Sequence, residues 1–118
     1  MRDYKKLRAF ELADDLVILI YMITKTFPKE EAYGLTSQMR RAAVSIPSNI
    51  VEGCSRESKS EFLRFLEIAF SSLKELHYQF SIAIRLTYVN LDDIDKCELK
   101  LSETGKVLGA LIRSIKRL

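Results

Sequence analysis

The fold is decided by residues 61–83, which read EFLRFLEIAFSSLKELHYQFSIA. Large apolar side chains recur in this stretch at alternating steps of four and three residues, which places them along one face of an α-helix. That face contains Phe62, Leu66, Ala69, Leu73, Leu76, Phe80 and Ala83. The segment Ser58-Lys59-Ser60-Glu61 has the spacing of a capping box, in which the Ser58 hydroxyl and the Glu61 carboxylate satisfy free backbone N–H groups. The stretch therefore predicts a long helix that begins just after Ser58 and buries one face.

Three further segments of the chain have the same helical spacing. A first helix is predicted from about Tyr4 to Thr26, before Pro28 stops it. A second is predicted from Leu35 to Arg56, and a last one follows Asn90-Leu91-Asp92-Asp93, whose acids suit a helix N-terminus. The apolar seams are Phe10, Ala13, Val17, Ile20, Thr24 and Phe27 in the first helix, Leu35, Met39, Ala42 and Ile46 in the second, and Ile94, Cys97, Leu101, Thr104, Leu108, Leu111, Ile115 and Leu118 in the last.

Four amphipathic helices joined by short connections predict an all-α fold, an up-down-up-down antiparallel four-helix bundle. The chain has 118 residues with only 4 Gly and 2 Pro, so residues 1–118 are expected to form a single domain of few, long elements. The sequence contains no run of about 18 apolar residues, which argues against a membrane partner. Its charged beginning lacks the apolar stretch of a signal peptide, so we expect a cytoplasmic protein.

The middle of the second helix contains residues to which we assign structural roles. Pro47 lacks a backbone N–H donor and is expected to kink this helix. The register of the seam places Asn49 and Gly53 on the core face, where the Asn49 amide could satisfy a carbonyl that Pro47 leaves free. The functional alternative is that Pro47, Asn49 and Glu52 shape a ligand pocket.

Arg40 and Arg41 lie side by side in the second helix. They could form ion pairs with acids of the third helix, such as Glu75, or reach across a subunit boundary. A structural role is favoured over phosphate binding for both.

The first and third helices carry apolar residues beyond their seams. A helix that is apolar on two faces is usually buried on two faces, and one small bundle offers one core. We interpret these residues as an oligomer interface, and the alternative is a wide core stripe with ordinary exposed apolar side chains. The predicted interface consists of Leu12, Leu16, Leu19, Ile23, Phe65 and Ile68.

No constellation of residues in the sequence is typical of a catalytic or metal site. His77 is the single histidine and has no cysteine or carboxylate at a recognised catalytic spacing, so we expect it at the periphery or at an interface. Cys54 and Cys97 show no metal-ligand spacing and are interpreted as small buried hydrophobes. Walker and GxGxxG motifs are absent from the sequence. We therefore predict a protein that is not an enzyme and needs no cofactor, metal ion or small-molecule substrate.

Charge is distributed unevenly along the predicted bundle. Residues 1–8, 53–64 and 106–118 share one pole of an up-down-up-down bundle and carry eleven bases against three acids, whereas residues 24–36 and 85–100 carry five bases against six acids. A basic surface attracts phosphate backbones with little sequence choice. Few aromatic residues lie among these bases, so stacking on unpaired bases is not strongly indicated. The predicted nucleic-acid-binding residues are Arg2, Lys5, Lys6, Arg8, Arg56, Lys59, Arg113, Lys116 and Arg117.

One block of the second helix resembles a known family. Residues 33–53 read YGLTSQMRRAAVSIPSNIVEG, and the likeness continues through Ser58, Glu61-Phe62, Phe65-Leu66, Ile68-Ala69, Ser72-Leu73 and Glu75-Leu76. The block resembles the 23S rRNA-intervening-sequence protein family, also called four helix bundle proteins. His77 stands where that family usually has Glu.

The resemblance implies a cytoplasmic bacterial four-helix bundle that assembles into a homopentameric ring, and it implies no settled function. A distantly related group of accessory proteins for retroelement reverse transcription has a similar barrel and binds nucleic acid, but fold alone does not carry function. The sequence thus favours a non-enzymatic oligomeric bundle that binds RNA or DNA through backbone contacts at its basic pole. The alternative is a protein-interaction or assembly scaffold with no nucleic-acid role.

Overall fold

The computed structural model describes residues 2–118, and this part of the chain is helical without strands. Its four α-helices are α1 (Arg8–Thr24), α2 (Leu35–Cys54), α3 (Lys59–Arg85) and α4 (Leu91–Lys116). Short 3-10 turns occur at Tyr4–Lys6 and Lys29–Glu31. Both α2 and α4 pack against α1 and against α3, which is consistent with the predicted four-helix bundle.

The helices of the described residues lack what a membrane-spanning helix requires. None of them combines the length and the apolar character that crossing a bilayer requires.

The starts of α3 and α4 lie where they were predicted, after the Ser58 cap and after Asn90 with its following acids. Ser58 Oγ accepts a hydrogen bond of 3.1 Å from the Glu61 N–H, and Asn90 Oδ1 accepts one of 2.9 Å from the Asp93 N–H. Each bond satisfies a backbone donor that the first helical turn leaves free, and a cap of this kind typically contributes about 1 kcal/mol. These two boundaries are therefore determined by residues within one turn of the helix start.

The first helix is shorter than predicted because an extended residue interrupts it. Leu7 has φ −85° and ψ 124°, so the 3-10 turn before it and α1 after it are separate elements. Asp3 caps that turn by accepting from the Lys5 N–H at 3.1 Å. The second helix also ends earlier than predicted, at Cys54.

The C-terminus of α3 is capped by backbone hydrogen bonds that the sequence did not predict. The Thr87 N–H donates to the Ile84 carbonyl at 2.9 Å, and the Tyr88 N–H donates to the Ala83 carbonyl at 3.0 Å. This pair of bonds is the Schellman motif, which needs a left-handed residue after the helix. Thr87 adopts that conformation with φ 60°, although glycine would do so with less strain.

The core confirms the apolar face predicted for residues 61–83. All seven of its residues are 3% exposed or less. Burying a Leu or Phe side chain stabilises a fold by roughly 1.5–3 kcal/mol, so this face is a large part of the stability. The third helix is the central element of the core.

The predicted second apolar face of α1 is largely part of the same core. Leu12, Leu16 and Ile23 are 5% exposed or less within the single chain, so they are not available to an interface between subunits. The reason is that α1 lies between α2 and α4, and two neighbours cover a wider stripe than one heptad seam. The wide core stripe, the alternative interpretation, therefore applies to these three residues.

The seam predicted for α4 is fully buried in its middle and only partly buried toward its end, where Leu111 and Ile115 are half-buried against the core. Cys97, Leu101, Thr104 and Leu108 are buried, but the next buried residue is Ile112, and Leu118 is exposed. A straight α-helix has 3.6 residues per turn, so a strict heptad seam drifts off the core after a few turns.

Candidate nucleic-acid interface

Arg2 is exposed at the predicted basic pole but is fixed by contacts within the chain. Its backbone N–H donates to the Cys54 carbonyl at 3.1 Å, and its guanidinium donates to the Arg56 carbonyl at 3.0 Å. The guanidinium carbon also lies 4.0 Å from the centre of the Phe62 ring, a cation–π geometry. Arg2 therefore fastens the N-terminal segment onto the turn between α2 and α3, a role that the sequence did not predict.

Three of the other predicted bases contact carboxylates. Arg8 lies 2.9 Å from Glu11 and 3.6 Å from Glu103, Arg56 lies 2.8 Å from Glu52, and Lys116 lies 3.4 Å from Glu67. Such exposed pairs contribute little to stability. They do change the local charge, because these four acids lie outside the segments counted above and reduce the excess of bases from eight to four.

The remaining predicted bases form the part of this pole that is free to bind anions. Within residues 2–118, none of them lies within 4.0 Å of a carboxylate, and all five side chains are exposed. They belong to the N-terminal segment, the start of α3 and the end of α4. We call these five residues the basic end: Lys5, Lys6, Lys59, Arg113 and Arg117.

The residues of α3 predicted at an oligomer interface are partly accessible. Phe65 is half-buried, with the guanidinium carbon of Arg56 at 5.0 Å and that of Arg64 at 5.7 Å from its ring centre. Ile68 is exposed, and Leu19 on α1 is half-buried against the core. Cation–π contacts within the chain thus already engage Phe65.

Arg40 lies against the end of α1, not against α3. Its Nε donates to Thr24 Oγ1 at 2.9 Å, its terminal nitrogen donates to the Tyr21 carbonyl at 3.4 Å, and its guanidinium carbon lies 4.6 Å from the centre of the Tyr21 ring. A cation at this position satisfies a terminal carbonyl and complements the helix dipole. Of the two alternatives considered for Arg40, the described residues do not form the pairing with acids of the third helix, since Arg40 faces α1, the other neighbour of α2.

Arg41 lies on a different side of α2 from Arg40, toward α3. It lines a groove of about 500 Å³ together with Ser45 and with Glu75 of α3. The residue next to Arg40 is therefore the one that lies near the predicted acid.

Asn49 takes part in a polar chain that joins α2 to α3. Its Nδ2 donates to the Ser45 carbonyl at 2.8 Å and to Ser45 Oγ at 3.0 Å. Ser45 Oγ in turn lies 2.8 Å from Ser72 Oγ. The side-chain amide thus reaches back one turn to a carbonyl two residues before the buried Pro47.

The potentially reactive side chains are held in structural contacts. His77 Nε2 lies 3.0 Å from Glu98 Oε2 and links α3 to α4, and the sequence did not predict this pairing of residues 21 positions apart. Burial is the main cause that raises the pKa of the Cys97 thiol to about 12, with Glu98 and Asp93 adding to it. Burial also raises the pKa of the Cys54 thiol. Both thiols therefore stay protonated near neutral pH and are poor nucleophiles.

The far end of the bundle carries a carboxylate with internal partners. Glu31 accepts from the Leu35 N–H at 3.0 Å and from the Tyr88 hydroxyl at 2.8 Å. The Leu35 bond, followed by the Tyr88 bond, lowers the pKa of Glu31. Within the described residues, no group of three His, Cys, Asp or Glu side chains could hold a metal ion.

Comparisons with known proteins identify a family and a fold. The sequence model of a family described as 23S rRNA-intervening sequence protein matches residues 5–110. A crystal structure of a protein of unknown function, from the S23 ribosomal protein family of Bacteroides thetaiotaomicron, is similar with a TM-score of 0.78 and 21% identity. The similarity covers 88% of this chain and 97% of that chain, and at this identity it shows the fold alone. No curated protein matches the chain.

Proposed function

We propose that this chain, which belongs to the 23S rRNA-intervening sequence protein family, is a non-enzymatic bundle protein that assembles with its own copies and binds nucleic acid through one pole. The observation that carries the proposal is the basic end, whose five exposed bases have no carboxylate partner in residues 2–118. Such a surface attracts phosphate groups at long range. The contacts would be to the nucleic-acid backbone, so affinity would fall steeply with salt and depend little on sequence.

The proposal includes the up-down-up-down direction of the helices, because only that order gathers the five bases. Contacts between chain ends support it. Arg2 reaches the end of α2, and Lys116 at the end of α4 reaches Glu67 near the start of α3. At the other pole, the Phe27 and Tyr88 ring centres lie 5.3 Å apart. We also propose that α2 bends at Pro47. Proline has no backbone N–H, so one hydrogen bond inside the helix is missing there.

Self-assembly is supported by an apolar surface on the outer side of α1. Ile18 is 60% exposed and Met22 is 64% exposed, one helical turn apart, and Tyr21 beside them is also exposed. Clustered apolar side chains of this kind often mark an interaction surface. We call Ile18, Tyr21 and Met22 the α1 surface, and it replaces the buried α1 residues as the candidate interface. The resemblance to the family leads us to expect a homopentamer.

Fluorescence anisotropy with a labelled structured RNA and a labelled DNA duplex tests the nucleic-acid part. We expect micromolar binding that weakens steeply with salt and is lost, by roughly a hundredfold or more, when Lys59, Arg113 and Arg117 are changed to Glu. The matched control changes Lys25, Lys29 and Lys96 at the other pole to Glu, with the same change in charge, and should keep most of the affinity. Absence of binding at low salt would refute the proposal.

The alternative function is a scaffold that binds only proteins, and the α1 surface is the observation that favours it. A multimeric protein that binds neither RNA nor DNA at low salt would establish this alternative. The two functions share the assembly and differ in the role of the basic end.

A further inference from the structure

Two adjoining cavities lie along the junction of α3 and α4. One has a volume of about 380 Å³ and reaches from Phe70 to Lys116, and the other has a volume of about 270 Å³ and reaches from Phe70 to Ser102. Phe70 lines both, so we treat the two cavities together as one groove. It spans residues 102–116 of α4, which is about 21 Å at the rise of an α-helix. We call it the α3–α4 groove, and its defining residues are Phe70, Lys74, Gly105, Lys106, Gly109 and Arg113.

Two glycines in the middle of α4 keep this groove deep. A Cβ atom added at Gly105 would lie 3.5 Å from Leu73, and one added at Gly109 would lie 3.4 Å from the flexible end of Arg113 and 3.7 Å from the Phe70 ring. The distances to Leu73 and to the ring are ordinary contacts, and the Arg113 side chain can move. Glycine is a poor residue for a helix interior, and alanine would suit this helix better. Packing within the chain therefore does not require glycine at positions 105 and 109. Glycine at these positions does leave the groove open, because no side chain fills it.

The sides of the groove are basic and its middle is aromatic. Lys74, Lys106 and Arg113 are exposed, and within the described chain none of them lies within 4.0 Å of a carboxylate. Lys74 Nζ lies 5.2 Å from the centre of the half-buried Phe70 ring. Glu67 is the one acid that lines the cavity of about 380 Å³, and it is paired with Lys116. Basic residues beside an aromatic ring are the combination that proteins use to bind single-stranded nucleic acid.

We propose that the α3–α4 groove binds a short single-stranded segment of RNA or DNA, of about four nucleotides. Phosphates contact Lys74, Lys106 and Arg113, and one unpaired base packs against Phe70. This inference rests on the proposed function and adds a second, strand-selective surface that continues from Arg113 of the basic end. Base stacking had little support from the sequence, since no aromatic residue lies near the basic residues of α4 along the chain. The fold places Phe70 of α3 beside them and so revises that expectation.

A single strand fits the groove better than a duplex. The space between two packed helices is narrower than a duplex, whose paired bases could not reach an aromatic ring at the bottom. A helix of a second copy is the other conceivable occupant. The positive sides favour a polyanion over such a helix, and the experiment separates the two.

The test measures fluorescence anisotropy with three labelled probes: an oligouridylate and an oligothymidylate of about twelve nucleotides each, and a blunt RNA duplex. Gly109→Leu fills the groove and is expected to weaken binding of the single strands by about tenfold, since bases lose the Phe70 contact. Lys74→Gln should weaken it by about threefold through one lost phosphate contact. Lys74→Gln should leave duplex binding at the basic end unchanged. Because the new side chain of Gly109→Leu can displace Arg113 of the basic end, this variant should lose more affinity for the single strands than for the duplex. The two single strands distinguish RNA from DNA.

Lys96→Gln, the same charge change at the other pole, is the control and should have no effect on any probe. Leucine is a better helix former than glycine, so Gly109→Leu is expected to fold, and Lys74→Gln tests the groove without filling it. If both variants bind the single strands as the unaltered protein does, the groove proposal is wrong while duplex binding keeps the proposed function. If no probe binds, the proposed function fails first. A smaller mass of Gly109→Leu in light scattering would assign the groove to a second copy and overturn the proposal.

Discussion

Adjacent residues of α2 have different tasks because each step along a helix turns the side chain by about 100°. Arg40 lies at the end of α1 with Thr24 and Tyr21, whereas Arg41 lies in the groove that Glu75 lines. The hydroxyl of Thr24 is buried, and it donates to the Ile20 carbonyl at 2.7 Å while it accepts from Arg40. Arg40 therefore joins two helices through a buried polar atom, and Arg41 does not.

Replacing each arginine by methionine distinguishes these roles. Arg40→Met should lower the free energy of unfolding by about 1–2 kcal/mol, because Thr24 Oγ1 loses a donor and the Tyr21 ring loses its cation. Arg41→Met should change it by less than about 0.5 kcal/mol, as is usual for exposed positions. Urea unfolding followed by circular dichroism measures both. Equal effects of the two substitutions would mean that the Arg40 contacts are unimportant to stability.

Helix packing leaves no room for a side chain at Gly53 of α2 but leaves room for one at Gly105 of α4. A Cβ atom at Gly53 would lie 3.0 Å from Phe65 Cβ and 3.2 Å from Phe62 Cδ1, so α2 and α3 approach closely there. The corresponding atom at Gly105 would meet Leu73 at an ordinary 3.5 Å. Gly105 lies inside α4, where alanine is intrinsically preferred to glycine, whereas Gly53 is the last residue but one of α2.

Alanine substitutions at these two glycines should therefore change stability in opposite directions. Gly53→Ala is expected to lower the free energy of unfolding by about 1–3 kcal/mol, since the close contact forces the helices apart. Gly105→Ala should raise it by about 0.5–1 kcal/mol through helix propensity alone. Thermal and urea unfolding of both variants checks the signs. Stabilisation by Gly53→Ala would contradict the close approach.

At the scale of the whole molecule, the charged and apolar surfaces lie on different parts of the bundle. In the proposed up-down-up-down arrangement the basic end lies at one pole, whereas the exposed α1 surface lies along the outer side of a helix. An assembly through α1 that kept the poles aligned would place several copies of the basic end on one rim. Affinity for a long nucleic acid would then rise through multivalency.

Light scattering measures whether the chain assembles. We expect a mass several times that of the 13.6 kDa chain, about fivefold if the family resemblance holds. Ile18→Lys with Met22→Lys should reduce this mass to that of the monomer, because it introduces charge into the proposed interface. Leu99→Lys is the control, since Leu99 is exposed among polar neighbours of α4. A monomeric unaltered protein would show that α1 makes no interface.

Local sequence determined the helices of this protein. The Ser58 cap, the acids after Asn90 and the apolar spacing of residues 61–83 act within one or two turns, so the pattern of neighbouring residues was enough to predict them. The left-handed Thr87 was not predictable in this way, since its backbone is held by bonds to Ile84 and by the packing of Tyr88.

Tertiary structure alone decided which surfaces are free. The burial of Leu12 and Leu16 depends on α1 having two neighbours, and the partners of Arg40, His77 and Lys116 come from other helices. The same packing joined Phe70 to the end of α4 and made a groove from residues that are far apart in sequence. Helical spacing specifies which residues share a face, but the direction in which that face points is set only when four helices bury their apolar area together.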